Sequence, residues 1–326
     1  MQYAIRMILV CEVLSNSSLA LLRQSGYEVV YDPNLYKDRS ALKAKLAEAT
    51  ALIVRNYTQV NAELLEAAPN LRVVGRLGVG LDNINQPDLK AKGVQLYFAR
   101  GINANSVAEY VLAALLHFAR NLAGASAHVA EGSWNRTAFG GFELSGKTLG
   151  LVGLGEVGLR VAKRARAFGM KVLAADPVRL AWESAVEDLD IELIEVSKVM
   201  AGSQFLSLHA PLTPETRYLI RAETIATMPK GAYLINTARG ELIRNEDLAD
   251  ALKSGHLAGA MLDVVDPEPL PAEHVLRGVD KLWITPHVGG LTAEAQAQVG
   301  LRVAEGVLEI LKSEEGGRRN EKGGQS

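Results

Sequence analysis

TLGLVGLGEVGLRVAKRARAFGMKVLAAD, residues 148–176, decides how this chain is read. The apolar run TLGLV has the length of a strand and leads directly into GLGEVG at 153–158, which has the spacing GxGxxG. The segment LRVAKRARAF has helical periodicity. A second apolar run, KVLAA, then ends in Asp176, eighteen positions after Gly158. A glycine triplet alone is a weak signal, because glycine turns are common. Set between a strand and a helix, with an acid at the next strand end, it reads as a dinucleotide-binding βαβ unit. Gly153 permits the tight turn, Gly155 lets the backbone approach a pyrophosphate, and Gly158 allows the helix to pack closely on the strand. The helix start offers phosphates free N–H groups and a favourable dipole. Asp176 can accept hydrogen bonds from both ribose hydroxyls and repels a 2′-phosphate, which favours NAD over NADP. Arg179 lies close by and weakens that preference.

Outward from this unit the same alternation continues. KVLAA (171–175), QFLSL (204–208), AYLIN (232–236), GAML (259–262) and LWIT (282–285) read as strands after TLGLVG (148–153). Thr213-Pro214-Glu215 has the chemistry of a helix start. Before residue 145, MILV (7–10), ALIV (51–54), RVVG (72–75) and VQLY (94–97) read as strands, with helices near 15–25, 38–49 and 61–68. This is the βα order of doubly wound parallel sheets. Residues 105–122 are apolar at helical spacing and read as a long connecting helix. A helix at about 292–311 returns the chain to the first domain, and the charged, glycine-rich tail SEEGGRRNEKGGQS is expected to be unstructured.

Composition narrows the function classes. At 326 residues and 48% hydrophobic content the chain is too long for one ordinary core, so two domains are expected. Lys plus Arg is 35 and Asp plus Glu is 37, a net charge of −2 with no basic stripe, which argues against nucleic acid. The one cysteine, Cys11, allows no internal disulfide and fits a reducing compartment. The N-terminal apolar run is cut by Arg6 and Glu12 and reads as a first strand, not a signal peptide. No stretch is apolar enough to cross a membrane, and a cytoplasmic location is expected.

A nicotinamide carries hydride, but a carbonyl oxidoreductase also needs an acid/base and often a cation for its substrate. The second half supplies three candidates beyond strand ends: Arg239 in INTARG, Glu268 in DVVDPEP and His287 in TPHVGG. Ligands of open α/β sheets bind outside the carboxyl ends of the strands, so all three reach one rim. A histidine at such a position is otherwise an ordinary core residue; its company changes the reading.

The blocks VGRLGVGLDNI (74–84), NSVAEYVL (105–112), ELSGKTLGLVGLGEVG (143–158), LHAPLTPET (208–216), LINTARGELI (234–243), GAMLDV (259–264) and TPHVGG (285–290) stand in one order. In them the chain resembles the NAD-dependent D-2-hydroxyacid dehydrogenases, and among these the phosphoglycerate dehydrogenase-like branch. The resemblance implies α/β architecture with two doubly wound parallel-sheet domains. One is a flavodoxin-like substrate domain from 1–102 and 291–326. The other is a Rossmann NAD-binding domain over 103–290, with a cleft that closes on ligand. It implies a homodimer through the coenzyme domain, and no metal.

The resemblance makes His287 the proton donor and acceptor, Glu268 its orienting acid and Arg239 the cation for the substrate carboxylate. Glu268 is the looser match, because DVVDPEP departs from the usual acidic run and Asp266 lies close. Gly153, Gly155, Glu156, Val157, Gly158 and Asp176 fall in the cofactor cradle. His209, Ala210, Pro211, Thr216, Thr237, Ala238, Asp263, Gly289 and Gly290 fall beside the cofactor. His209 reads equally as structural, and Asp263 equally as a loop cap. Val79 and Gly80 would offer amides to the substrate carboxylate, a small anion nest. Arg55, at the end of ALIVR, is either a surface arginine or a cation for a second anionic group. His117, His128, His256 and His274 read as surface or core residues, Glu241 as a solvated loop charge, and Trp134 as packing near a dimer contact.

The activity implied is the NAD-dependent interconversion of a 2-hydroxy acid and its 2-oxo acid. The substrates considered are 3-phosphoglycerate, hydroxypyruvate with glyoxylate, and 3-sulfolactate; VRNYTQV with GRLGVGLDN also resembles sulfolactate dehydrogenases. The sequence ends soon after the return helix, so a regulatory domain with feedback by serine is not expected. Two other readings stand beside this one: an NAD-sensing corepressor-like protein, which can keep the same triad, and formate dehydrogenase, whose histidine pairs with glutamine where Glu268 stands here.

Overall fold

The computed structural model describes residues 6–323, with side chains described through residue 314. The chain divides into two compact units. One contains the chain up to Asn103 and from Leu291 onward; the other is Ala104–Gly290.

The first unit is built on five parallel strands: β1 (Met7–Val10), β2 (Glu28–Tyr31), β3 (Ala49–Val54), β4 (Val73–Arg76) and β5 (Gln95–Phe98). Their order is β2-β1-β3-β4-β5. The inner strands are covered on both faces, so they read as unbroken apolar runs. Side chains of β1 alternate between two cores, with Met7 and Leu9 on one face and Ile8 and Val10 on the other. Helices Asn16–Arg23, Arg39–Leu46, Ala62–Glu66 and Gln86–Ala91 each begin at a side-chain cap, from Ser15, Asp38, Asn61 and Asn85. The return helix, Ala293–Gly323, lays Val299, Val303 and Val307 into the second core at helical spacing.

The second unit holds seven parallel strands: β6 (Thr148–Val152), β7 (Lys171–Ala175), β8 (Ile191–Leu193), β9 (Phe205–Leu208), β10 (Ala232–Asn236), β11 (Leu257–Leu262) and β12 (Leu282–Ile284). Their order is β12-β11-β10-β9-β6-β7-β8. The order reverses between β6 and β9, the switch point where dinucleotides bind in sheets of this kind. Because all seven strands run the same way, every loop past a C-terminal strand end emerges on one edge.

Four expectations need correction. β2 and β8 are strands that the apolar pattern does not reveal. Both lie at sheet edges and are half-exposed, so neither needs a continuous apolar run. Thr213-Pro214-Glu215 opens no helix. The chain makes one turn, Arg217 N–H to Thr213 O at 2.9 Å, and stops because Tyr218 is left-handed (φ +52°) and gives its N–H to Glu241 O at 2.8 Å. The connecting helix ends at Arg120, and left-handed Asn121 starts a second helix, Leu122–Ala130. The tail is helical through Gly323. Its first turn is tied down by Glu314, which accepts from Arg72 at 2.9 Å and Gln95 at 3.1 Å. Gly324, Gln325 and Ser326 lie outside the described residues.

Candidate active site

The glycine turn after β6 is shaped by close approach. Gly153 is left-handed (φ +96°), and a β-carbon there would lie 2.6 Å from the His209 carbonyl carbon. A β-carbon on Gly158 would lie 2.4 Å from Gly153 O, so the helix Glu156–Ala167 can start against the turn only without one. At Gly155 the same addition meets nothing, and no side chain caps the helix. Uncapped amides of Glu156 and Val157 therefore start a helix whose N-terminus faces open space, which fits a pyrophosphate.

Asp176, at the end of β7, already accepts three amides: Leu154 N–H at 2.7 Å on one oxygen, Val178 and Arg179 N–H at 2.9 and 3.3 Å on the other. A carboxylate has about four acceptor sites, so Asp176 joins the glycine turn to β7 and retains capacity for a ribose hydroxyl. Arg179 is engaged elsewhere, donating to Leu154 O at 3.0 Å and pairing with Glu183 at 2.6 Å.

Beyond β9, His209 meets Ser207 Oγ at 3.0 Å, and burial pushes its imidazole down to about 4, so it is neutral near pH 7. Ala210 is buried and Pro211 exposed. The Thr216 hydroxyl is spent within the loop, donating to Pro211 O at 2.7 Å and accepting from Thr213 N–H at 2.8 Å. Beyond β10, the Ala238 N–H donates to the Asn236 side chain at 3.0 Å. The Thr237 hydroxyl is buried without a hydrogen-bond partner among the described residues. Such an orphan fits a site shaped for a polar ligand group.

The acid/base candidates meet beyond β10, β11 and β12. His287 Nδ1 lies 3.0 Å from Glu268 Oε2, and the other Glu268 oxygen accepts Val265 N–H at 3.2 Å. The hydrogen bond to Glu268 holds the His287 imidazole above its ordinary range; burial opposes this, the charges of Glu268 and Asp263 add to it, and that of Arg239 subtracts. For Glu268, burial pushes upward, but the bond and charge of His287, the Val265 amide and Arg239 prevail and hold its carboxyl low. Arg239 thus lies within electrostatic reach of both. Its loop presses against the backbone that carries Glu268: a β-carbon on Gly240 would sit 2.2 Å from the Val265 carbonyl carbon.

His287 is itself left-handed (φ +55°), an uncommon state for a residue with a side chain. Asp263, at the end of β11 and buried, holds it there. The His287 N–H donates to Asp263 O at 3.0 Å. The Asp263 carboxylate accepts Val288 N–H at 2.8 Å, Gly289 N–H at 2.7 Å and the Thr285 hydroxyl at 2.7 Å. Since Thr285 gives its proton to a carboxylate, the 2.6 Å contact with Tyr110 is one that the phenol donates. The loop-cap reading of Asp263 is the one its contacts display. Gly290 follows directly. Tyr110 and Thr285 escape sequence reading because 175 positions separate them.

In the first unit, Arg55 follows β3 with a half-buried guanidinium that has no hydrogen-bond partner among the described residues. Burial lowers its pKa, with the charges of Glu12 and Tyr57 opposing. Val79 and Gly80 are partly exposed in the loop after β4. Among the described residues no helix is long and apolar enough to cross a membrane.

The sequence profile of the D-isomer specific 2-hydroxyacid dehydrogenase NAD binding domain matches residues 112–289, the span of the glycine turn and the triad. A hydroxypyruvate reductase of Thermotoga maritima is 40% identical over 91% of this chain and 96% of its own. An (S)-sulfolactate dehydrogenase of Chromohalobacter salexigens is 40% identical over 93% and 98%. A D-3-phosphoglycerate dehydrogenase of Methanocaldococcus jannaschii is also 40% identical over 94% of this chain, which spans only 58% of that enzyme's length. Among solved structures, the TT0316 protein of Thermus thermophilus superposes with a TM-score of 0.86 at 34% identity, over 94% of this chain and 97% of its own. The chain therefore belongs to the D-isomer specific 2-hydroxyacid dehydrogenase family and is one of its NAD-dependent oxidoreductases.

Proposed function

We propose that this enzyme interconverts a small 2-hydroxy acid bearing a second polar or anionic group at C3 and its 2-oxo acid, with His287 as the acid/base. The His287–Glu268 hydrogen bond at 3.0 Å, within reach of the Arg239 charge, is the observation that carries the reading. NAD, when bound, supplies or accepts the hydride. Gly153, Gly155, Glu156, Val157 and Gly158 would hold its pyrophosphate and Asp176 its ribose. His209, Ala210, Pro211, Thr216, Thr237, Ala238, Asp263, Gly289 and Gly290 would line its remaining length.

Glu268 accepts a hydrogen bond from the Nδ1–H of His287, which leaves Nε2 for the substrate oxygen. During reduction His287 gives a proton to that oxygen; during oxidation it takes one back. Arg239 binds the carboxylate and polarises the neighbouring carbonyl. Val79, Gly80 and Arg55 of the first unit are read as substrate contacts, the two amides for a carboxylate and the guanidinium for a second anionic group. In this reading the first unit is the substrate domain. The hydroxypyruvate, sulfolactate and phosphoglycerate enzymes among the relatives support that substrate class. The single buried free cysteine suits a cytoplasmic location.

The protein acts as a homodimer through the second unit. Helix Leu122–Ala130 is apolar and has no buried residue; Leu122 is 70% exposed, and Trp134 just beyond it 79%. Apolar surface gathered in this way belongs against a partner, and a second copy is the partner proposed.

His287→Ala should lose about 10²- to 10⁴-fold in turnover while binding NADH as before; near wild-type turnover would sink the assignment. Glu268→Gln tests the pair by pH. Glu268 raises the His287 pKa, so imidazolium persists to higher pH and reduction falls off only as pH rises through that raised value. In the variant the fall-off of kcat/KM for reduction should move to lower pH, and an unmoved limb would separate Glu268 from His287. Arg55→Ala should raise KM for a doubly anionic 2-oxo acid such as 3-sulfopyruvate about tenfold or more, and leave glyoxylate unchanged; equal changes would remove Arg55 from substrate binding. In sedimentation the wild type should run as a dimer, and Leu122→Glu with Trp134→Glu as a monomer. A monomeric wild type would refute the dimer.

A further inference from the structure

Glu12 lies just past the end of β1 and is 1% exposed. A buried carboxylate is costly unless its oxygens find donors. Glu12 finds four, all from one loop. Oε1 accepts the Arg55 and Thr58 N–H groups at 2.9 and 3.0 Å, and Oε2 accepts those of Asn56 and Tyr57 at 3.1 Å each. Successive amides converging on one anion form a nest, a device that elsewhere binds phosphate. Here the anion belongs to the chain. The place is telling: β1 and β3 flank the point where the β2-β1-β3-β4-β5 order reverses, where open α/β sheets take their ligands. Asn83 braces the loop from its other side, donating to Arg55 O at 3.1 Å and Thr58 O at 2.7 Å.

We propose that Glu12 is a positioning residue for substrate selection: by filling this nest it fixes the backbone from which Arg55 projects, and so sets the preference for a second anionic group. The inference rests on the reading of Arg55 given above. Two observations carry it beyond packing. The Arg55 guanidinium has no hydrogen bond of its own among the described residues, so its aim comes from its backbone. The four amides are already taken, so an incoming anion finds no donors in the nest and is left to Arg55.

The test is steady-state reduction of 3-sulfopyruvate and of glyoxylate by the full chain at saturating NADH. Glu12→Gln preserves shape but turns an NH2 group toward amide donors. It should raise KM for sulfopyruvate about tenfold and leave kcat, glyoxylate KM and NADH affinity within about twofold. A purely structural role would change both substrates alike, and that result, or no change, overturns the proposal. Should Glu12→Gln fail to fold, Glu12→Asp keeps the charge but falls one methylene short; it should give the same selective rise, smaller, and an even change overturns the idea equally. In an Arg55→Ala background Glu12→Gln should add nothing to the ratio of the two KM values, and a further selective rise would show that Glu12 does not act through Arg55. If Arg55→Ala alone is selective and the Glu12 variants are not, only this inference falls. If Arg55→Ala is unselective, the reading of Arg55 falls first and this one with it.

Discussion

The site depends on one buried carboxylate. Asp263 holds three donors from the 285–289 turn on its side chain and a fourth, the His287 N–H, on its carbonyl. Left-handed backbone at a residue with a β-carbon costs on the order of 1 kcal/mol or more and persists only where its surroundings over-determine it. Here they do so with four hydrogen bonds, three of them to a charge, the stronger kind. Tyr110 extends the brace to the helix Ala104–Arg120. The imidazole is thus aimed by contacts that never touch its ring, while Glu268 hydrogen-bonds the ring itself.

The same economy recurs in the first unit. Glu12 is to the Arg55 loop what Asp263 is to the His287 turn: a buried acid just beyond a parallel strand, hydrogen-bonded by backbone amides of a loop that bears a basic side chain. In both places main-chain amides hold the carboxylate, so the basic side chain of the loop is not spent on it and can meet another partner, as His287 meets Glu268. Parallel strands make this possible, since their C-terminal ends emerge on one edge and bring loops from distant parts of the sequence within hydrogen-bond reach.

Much of this is legible in the sequence. The inner strands announce themselves as apolar runs because both faces of a parallel sheet are covered. The glycine turn announces itself because close approach at Gly153 and Gly158 leaves no room for a β-carbon. Edge strands β2 and β8 stayed hidden because half-exposed strands need no such run. Thr213-Pro214-Glu215 reads as a helix start, but its cap-like side chains serve a turn that the distant Glu241 carbonyl terminates. Glycine and charge in the tail suggest disorder, whereas Glu314 anchors its start to Arg72 and Gln95. Glu12 did leave a mark, a charge at the end of an apolar strand, but the mark carried no partner.

The sequence by itself determined the two α/β units and the nucleotide turn, and it marked Arg239, Glu268 and His287 as candidates, because each of these is written in local spacing: strand, glycines, helix, and a titratable residue past a strand end. Tertiary structure alone decided how those residues are held. The Tyr110–Thr285–Asp263 chain, the Gly240 contact with the Val265 backbone and the four amides around Glu12 join positions between 22 and 175 apart in sequence. Hydrogen bonds of that kind have no period and no motif. They exist only once the sheets have brought their strand ends together and a buried charge must find its donors.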